Sequence, residues 1–176
     1  MSEQHEQQHI HIDEYERLWL IGITIMLGVF FATLLAGAAI FGVRPTGQGG
    51  FVNPQQLDQT MFAEPGLRHM GGNRYEAVVL AQTWFFQPNV MTVPEGAEVT
   101  FYVTSRDVIH GFLIEHHNVN FEVIPGHIAE ARTTFNEPGE YKMICSQYCG
   151  RAHQNMFASI IVEPAEDAAV AQVEGD

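Results

Sequence analysis

The stretch from Glu140 to Glu163, EYKMICSQYCGRAHQNMFASIIVE, reads as two short strands joined by a loop. The flanking runs EYKMI and FASIIVE are rich in aromatic, β-branched and other apolar residues, which is typical of strands. The loop between them, CSQYCGRAHQNM, holds both cysteines of the chain together with a histidine and a methionine. This pattern predicts a β-domain with a functional loop between two of its strands.

Similar short apolar runs begin at Arg74, and each is ended by a turn signal. Pro94-Glu-Gly96, Pro125-Gly126 and Pro138-Gly139 separate several of them, and such Pro and Gly combinations mark turns. About seven short strands at this spacing predict an all-β sandwich or barrel of roughly 90 residues. We therefore predict a β-domain over residues 74–164, a Gly-, Pro-, Gln- and Asn-rich linker over 44–73, and a disordered acidic tail over 165–176.

The amino-terminal part of the chain contains an uncharged run of 26 residues, from Leu18 to Val43. About 20 apolar residues suffice to span a bilayer as a helix. We predict a single transmembrane helix over 18–43, behind a polar acidic tail over 1–17. A cleaved signal peptide would have a basic start and a shorter apolar core. The positive-inside rule leaves the orientation open, because Arg17 and Arg44 lie on opposite sides of the run.

The charge balance is strongly acidic. The chain has 8 basic and 21 acidic side chains and a formal net charge of −13. Such a surface disfavours nucleic acid and anionic lipid as partners and favours a basic protein. Solubility is the simpler explanation of the charge, so this balance alone does not assign a partner.

The loop residues favour a metal site over a structural disulfide, because a disulfide gives no reason for His153 and Met156. Zinc seldom takes a thioether ligand, whereas a Cys, His and Met set points to copper. Cys149, His153 and Met156 would serve a mononuclear blue-copper site if a second histidine joined them, and His110 in SRDVIHGF is the candidate. Such a site does not need Cys145, whereas two thiolates can bridge two copper ions.

DVIHGF followed by CSQYCGRAHQNMF resembles the dinuclear CuA domain of subunit II of haem–copper oxygen reductases. The resemblance runs from the predicted helix to about residue 163 and is densest from Val99 to Val162. It implies a cupredoxin fold, a Greek-key β-barrel with the metal loops at one end. It also implies that two copper ions are held by six residues: His110, Cys145, Gln147 through its main-chain carbonyl, Cys149, His153 and Met156.

The resemblance implies an electron-transfer subunit of a membrane cytochrome c oxidase. Such a subunit accepts electrons from cytochrome c, or from another basic soluble donor, and passes them to haem in subunit I, where oxygen is reduced. The chain would be a single-pass protein of the cell membrane with its copper domain on the periplasmic side. Two alternatives stay open, a CuA-bearing subunit of a membrane nitric oxide reductase and a membrane-anchored blue-copper carrier.

Two departures from the commonest subunit II pattern are informative. Gln147 stands where that pattern has a glutamate, whose carboxylate helps to bind magnesium at the boundary with subunit I. An amide is a poorer ligand for this hard cation, so the pattern does not favour a magnesium site through Gln147. The single predicted helix replaces the usual two. Both departures resemble the B-type oxidases, which are related to the ba-type enzymes of thermophiles.

Electrons would enter subunit II through an aromatic side chain near the copper. Trp84, Phe85 and Phe86 are consecutive, so at least one of them should be exposed on an alternating strand. The resemblance places Trp84 there, with Phe86 beside it, although core packing is a competing explanation, above all for Phe85 and Phe86. Asp107, three residues before His110, is expected to anchor the ligand loop or to serve as a turn residue.

Overall fold

The computed structural model describes residues 13–41 and 49–165 of the chain, which divides into two units, Met1–Arg44 and Pro45–Asp176. Most of the two predicted tails lies outside the described residues. The first unit contains helix α1, Glu14–Phe41, which begins four residues before the uncharged run. Its 28 residues extend about 42 Å, and the helix is long and apolar enough to cross a membrane.

The start of α1 is fixed by acidic residues rather than by the uncharged run. The Asp13 carboxylate accepts a hydrogen bond from the Tyr15 amide at 3.3 Å, as an N-terminal cap does. Glu14 and Glu16 lie in the first turn, where negative charge is stabilised by the helix dipole. Glu14, Glu16 and Arg17, which precede the uncharged run, therefore belong to the helix.

The second unit is a β-sandwich. Two 3₁₀ turns, Pro54–Gln59 and Met61–Ala63, precede its strands. The strands are β1 Gly66–His69, β2 Arg74–Gln82, β3 Phe85–Gln87, β4 Val90–Pro94, β5 Ala97–Ser105, β6 His110–Ile114, β7 Val119–Val123, β8 Ala129–Phe135, β9 Gly139–Ile144 and β10 Phe157–Glu163.

These strands form two five-stranded sheets. One has the order β1-β2-β5-β8 with β3 paired to β2, and the other has the order β4-β10-β9-β6-β7. Strands β2 and β5 are parallel, as are β4 and β10, and the other pairs are antiparallel. The predicted mainly β domain behind one amino-terminal helix is confirmed, and the mixed two-sheet arrangement fits the Greek-key cupredoxin fold.

The core lies between the two sheets and follows from strand alternation. Ala97, Val99, Phe101 and Val103 on β5 all point inward, as the two-residue period of a strand requires. From the opposite sheet, Phe112 on β6 is fully buried, with its ring 5.6 Å from that of Phe101. A buried phenylalanine stabilises a fold by about 1.5–3 kcal/mol through its area alone, so Phe112 holds β6 firmly.

The predicted linker over 44–73 contains a second, smaller core and a strand, so this prediction is corrected. Leu57 and Phe62, from the two 3₁₀ turns, are buried against Val78 and Leu80 on the outer face of β2, with Ile128 completing the cluster. Strand β1, which also lies within the predicted linker, pairs with β2. We call residues 49–63 the covering segment. The described part of the domain therefore begins at residue 49 rather than at residue 74.

Candidate metal centre

The predicted ligands meet at one end of the sandwich because the start of β6 and the β9–β10 connection lie together there. His110 is the first residue of β6, and the ligand loop, residues 145–156, joins the end of β9 to the start of β10. The Cys145 amide donates to the Met156 carbonyl at 3.1 Å, which closes the ligand loop at its base. His110 and Phe112 lie on the same face of β6, so the packing of Phe112 in the core also carries the imidazole inward.

The sulfur and nitrogen atoms of five predicted ligands lie within 4 Å of their neighbours. The Sγ atoms of Cys145 and Cys149 are 3.7 Å apart. Nδ1 of His110 lies 3.9 Å from Cys145 Sγ, and Nδ1 of His153 lies 3.7 Å from Cys149 Sγ. The Met156 Sδ atom lies 3.6 Å from Cys149 Sγ. The structure thus brings together all the side-chain ligands that the resemblance implies.

The sixth predicted ligand, Gln147, contributes through its backbone. Its carbonyl oxygen lies 3.1 Å from Cys145 Sγ, beside the sulfur pair. Its side chain points elsewhere, because the amide nitrogen donates to Glu122 Oε1 at 3.1 Å. The main chain and the side chain of Gln147 therefore have separate partners.

The donor set fits copper. Both cysteines are free and buried, and a separation of 3.7 Å is far longer than the roughly 2.05 Å of a disulfide bond. His110, Cys145 and Cys149 offer ligand atoms that all lie within 4.8 Å of one another. Soft thiolates and a thioether with imidazoles match copper better than they match zinc or a hard cation.

The two thiols differ in acidity. Burial opposes ionisation of Cys145, but hydrogen bonds with His110 and with the amides of Gly111 and Gln147 lower the pKa of its thiol to about 6. Burial and the adjacent Cys145 thiolate raise the pKa of the Cys149 thiol to about 12. One thiolate is thus favoured without a metal, and a bound cation would favour the second.

The Asp107 carboxylate holds the His110 ring through Nε2, the ring nitrogen that does not face the sulfur atoms. Its Oδ1 atom lies 2.8 Å from His110 Nε2. Because a carboxylate is only an acceptor, Nε2 of His110 carries a proton and donates it to Asp107, while Nδ1 faces the Cys145 sulfur atom. Burial opposes ionisation of Asp107, but hydrogen bonds from His110, Thr83 and Val108 lower the pKa of its carboxyl to about 2. Asp107 lies where the sequence expects a loop anchor.

Gly111 allows the ligand loop to approach β6, a role that the sequence reasoning missed. A Cβ atom at this position would lie 2.6 Å from the backbone nitrogens of both Ser146 and Gln147, a distance at which backbone must move. Any side chain here would push the ligand loop away from His110. A glycine directly after a predicted ligand was the available signal.

Trp84 touches the ligand loop. Its indole nitrogen donates to the Cys149 carbonyl at 3.3 Å, and 37% of the side chain is exposed. Gly150 makes room for it, because a Cβ atom there would lie 2.8 Å from Trp84 Nε1, and its φ of +128° already favours glycine. The structure therefore places Trp84 between solvent and the predicted ligands.

The prediction that Phe86 lies where electrons enter is wrong. Phe86 is 1% exposed, and its ring packs edge-on against Phe112 at 5.7 Å, because β3 pairs Phe86 with Ala81 in the core of the sheet. Phe85 is on the outer face and 46% exposed. Tyr148, which the sequence reasoning did not single out, is 78% exposed with its ring 5.8 Å from His153.

Comparisons with known proteins agree with this geometry. The family model for cytochrome c oxidase subunit II, periplasmic domain, matches residues 79–165. The chain is 44% identical over 168 residues to cytochrome c oxidase subunit 2 of Thermus thermophilus, a match that covers 93% of this chain and 99% of that relative. This chain belongs to the cytochrome c oxidase subunit II family. It is a component of an oxidoreductase complex, and its cofactor is copper.

One solved structure and a more distant relative refine the comparison. This subunit II matches a chain of a haem–copper terminal oxidase dimer with a TM-score of 0.72 and 31% identity, over 85% of this chain and 100% of that one. It is also 31% identical over 98 residues to nitrous-oxide reductase of Stutzerimonas stutzeri, but this stretch is 15% of that protein. Similarity over the whole of an oxidase subunit favours the oxidase over the two alternative functions.

Proposed function

We propose that this subunit II accepts electrons at a dinuclear copper centre and passes them to haem in subunit I. The ligands would be His110, Cys145, the Gln147 carbonyl, Cys149, His153 and Met156. The observation that carries the proposal is the pair of free thiols 3.7 Å apart, with an imidazole nitrogen within 4 Å of each sulfur. Bound copper would supply a one-electron couple without an open coordination position for a substrate.

Metal analysis and spectroscopy of the full chain in detergent test this proposal. We expect two copper ions per chain, several visible charge-transfer bands from the two thiolates, and a many-line electron paramagnetic resonance signal from the mixed-valence pair. One copper per chain with a single intense blue band would replace the dinuclear centre with a mononuclear one. Stable zinc binding without copper would remove the electron-transfer role.

We propose that a soluble cytochrome c docks on an apolar collar around the ligand loop. The collar consists of five partly or largely exposed side chains: Trp84, Phe85, Val108, Ile109 and Tyr148. Trp84, Val108, Ile109 and Tyr148 lie in connections that hold or contact a predicted ligand, and Phe85 begins β3 directly after Trp84. The charged residues in the stretches 83–84, 106–109 and 145–152 are only Arg106, Asp107 and Arg151.

The acidic charge of the domain acts at longer range in this proposal. Residues 45–176 carry 16 acidic and 6 basic side chains, a balance of −10, which would steer a basic donor toward the domain. The uncharged collar would then make the close contact, where apolar anchors dominate binding energy. Trp84 would receive the electron first, because its indole is hydrogen-bonded to the ligand loop.

Stopped-flow electron transfer from reduced cytochrome c to the oxidase complex tests both parts. Trp84→Ala should slow transfer roughly tenfold, as loss of an interface anchor does, and leave the copper spectrum unchanged. Ile161→Ala is the matched control, since Ile161 is 39% exposed but lies on β10 away from the ligand loop. A normal rate in Trp84→Ala would remove Trp84 from the path.

The same experiment at rising salt concentration separates steering from docking. Charges are screened with a Debye length of about 8 Å at physiological ionic strength, so the bimolecular rate should fall as salt is added. Rates that do not change with salt would show that the collar alone recruits the donor.

We propose that α1 is a single membrane anchor that keeps the copper domain on the periplasmic side, as in a B-type oxidase. The supporting observations are the length and apolar composition of α1, the amide at Gln147 and the match along nearly the whole Thermus subunit. The chain should stay in membranes washed with alkaline carbonate, and external protease should digest the domain in spheroplasts. Release by carbonate, or protection from protease, would contradict this topology.

A further inference from the structure

We infer that Asp107 is a positioning residue for the surface aromatic Trp84 as well as for His110, through a hydrogen-bonded chain that runs from one predicted ligand to another. The inference rests on the proposed centre for its functional meaning. The contacts themselves exist without a metal, so they can be tested separately.

The first half of the chain leads from His110 to the turn that carries Trp84. The two carboxylate oxygens of Asp107 have different partners. Oδ1 lies 2.8 Å from His110 Nε2 and accepts the Val108 amide at 2.7 Å. Oδ2 accepts the Thr83 amide at 2.7 Å, between β2 and β3. One carboxylate therefore holds both the ligand His110 and the backbone amide of Thr83, the residue before Trp84.

The second half leads from Trp84 to the ligand loop. The Trp84 indole donates to the Cys149 carbonyl, and Gly150 leaves space for the ring to lie on this peptide. The indole of Trp84 is thus held through Cys149, and the residue before it, Thr83, is held through Asp107. The chain of contacts runs from His110 through Asp107, Thr83 and Trp84 to Cys149.

This arrangement has a consequence that an anchor for His110 alone would not have. If Asp107 served only the imidazole, its removal would change the metal ligand and leave the Trp84 ring in place. If it also holds the Thr83 amide, its removal frees the turn, and the indole loses its fixed approach to Cys149. The position of Trp84 in metal-free protein therefore distinguishes the two roles.

Fluorescence of the full metal-free chain in detergent provides the test. The chain has two tryptophans, so a Trp19→Phe background leaves Trp84 as the only tryptophan, and excitation at the red edge, where tyrosine does not absorb, isolates its emission. Because 37% of Trp84 is exposed, local release of the turn by Asp107→Ala should roughly double acrylamide quenching. Glu115→Ala is the matched control, since Glu115 also accepts a backbone amide, that of Lys142 at 3.3 Å, beyond the opposite end of β6.

The outcomes separate the possibilities. Increased quenching in Asp107→Ala but not in Glu115→Ala supports the inference. Unchanged quenching together with an altered copper resonance spectrum would overturn it and leave Asp107 as an anchor for His110 alone. If Asp107→Ala does not fold, Asp107→Asn replaces it, because its amide would oppose the Thr83 N–H and the same increase is expected. Failure of the parent chain to bind copper would instead refute the proposed function.

Discussion

The ligand loop and the covering segment contribute to this domain in opposite ways. The ligand loop places sulfur and imidazole groups at one end of the sandwich, and three of its side chains, Cys145, Cys149 and Met156, also belong to the main core. The covering segment holds Leu57 and Phe62 against the outer face of β2, away from the metal ligands. The difference teaches that the metal ligands also contribute to the main core, whereas the covering segment contributes stability through residues that are not ligands and can be changed separately.

The largest effect is expected from Cys149→Ser. One remaining thiolate cannot supply both bridges of a dinuclear centre, so copper should fall from two ions per chain to one or none, and the mixed-valence resonance signal should disappear. Copper analysis and resonance spectroscopy measure this change. Tyr148→Phe, the adjacent residue in the same loop, should keep both ions. Two ions in Cys149→Ser would show that Cys149 is not a bridge.

Phe62→Ala should affect stability instead. Phe62 is 1% exposed, and truncating such a buried phenylalanine costs about 3–5 kcal/mol. Urea unfolding of the full chain should show this loss, and the copper spectrum of the folded protein should be unchanged. Phe51→Ala, at a side chain that is 80% exposed, should change stability by less than about 0.5 kcal/mol. Equal losses in both variants would mean that the covering segment is not packed on β2.

Met156→Leu should give a smaller change, which mainly affects the reduction potential of the copper site. Leucine keeps the volume of this buried side chain, so the loss of stability should stay below about 1.5 kcal/mol. The thioether is a weak axial ligand that tunes the reduction potential of a copper site. We expect copper to remain bound and the potential measured by redox titration to shift. Complete loss of copper would contradict this assignment, because it would show that Met156 is required for copper binding and is not a weak axial ligand.

Gln147→Glu should give the smallest effect. The predicted copper donor at this position is the main-chain carbonyl, which the substitution keeps. The new carboxylate would face Glu122, which now accepts the Gln147 amide at 3.1 Å, so stability should fall by about 0.5 kcal/mol. Copper content measures the first expectation and urea unfolding the second. Loss of copper would show that the side chain, rather than the backbone, is the ligand.

The ligand loop could be read from the sequence because its chemistry is local. Cys145, Cys149, His153 and Met156 lie within twelve residues, and this spacing is specific enough to identify both the metal and the strands on either side. Among the side-chain ligands, only His110 is distant in sequence, and the stretch DVIHGF identifies it. The loop geometry then follows from two strand ends, β9 and β10, which pair with each other.

The covering segment could not be read in this way because its two buried residues are isolated among polar ones. Leu57 and Phe62 show no strand or helix period, and only contact with β2 buries them. An indirect signal was present in β2, where AVVLA is apolar at every position, as in a strand covered on both faces. The burial of Phe86 was equally inaccessible, because the pairing of β3 with β2 decides which of three consecutive aromatic residues faces the core.

Gly111 sets a condition for transplanting this copper site into another protein. The backbone nitrogens of Ser146 and Gln147 approach the position of its absent Cβ to 2.6 Å. A designer who grafts residues 145–156 onto a different two-sheet scaffold, and supplies only a receiving histidine, would place the loop against a side chain. The portable unit is therefore the dodecapeptide together with the dipeptide His110-Gly111, although these lie more than thirty residues apart in the sequence.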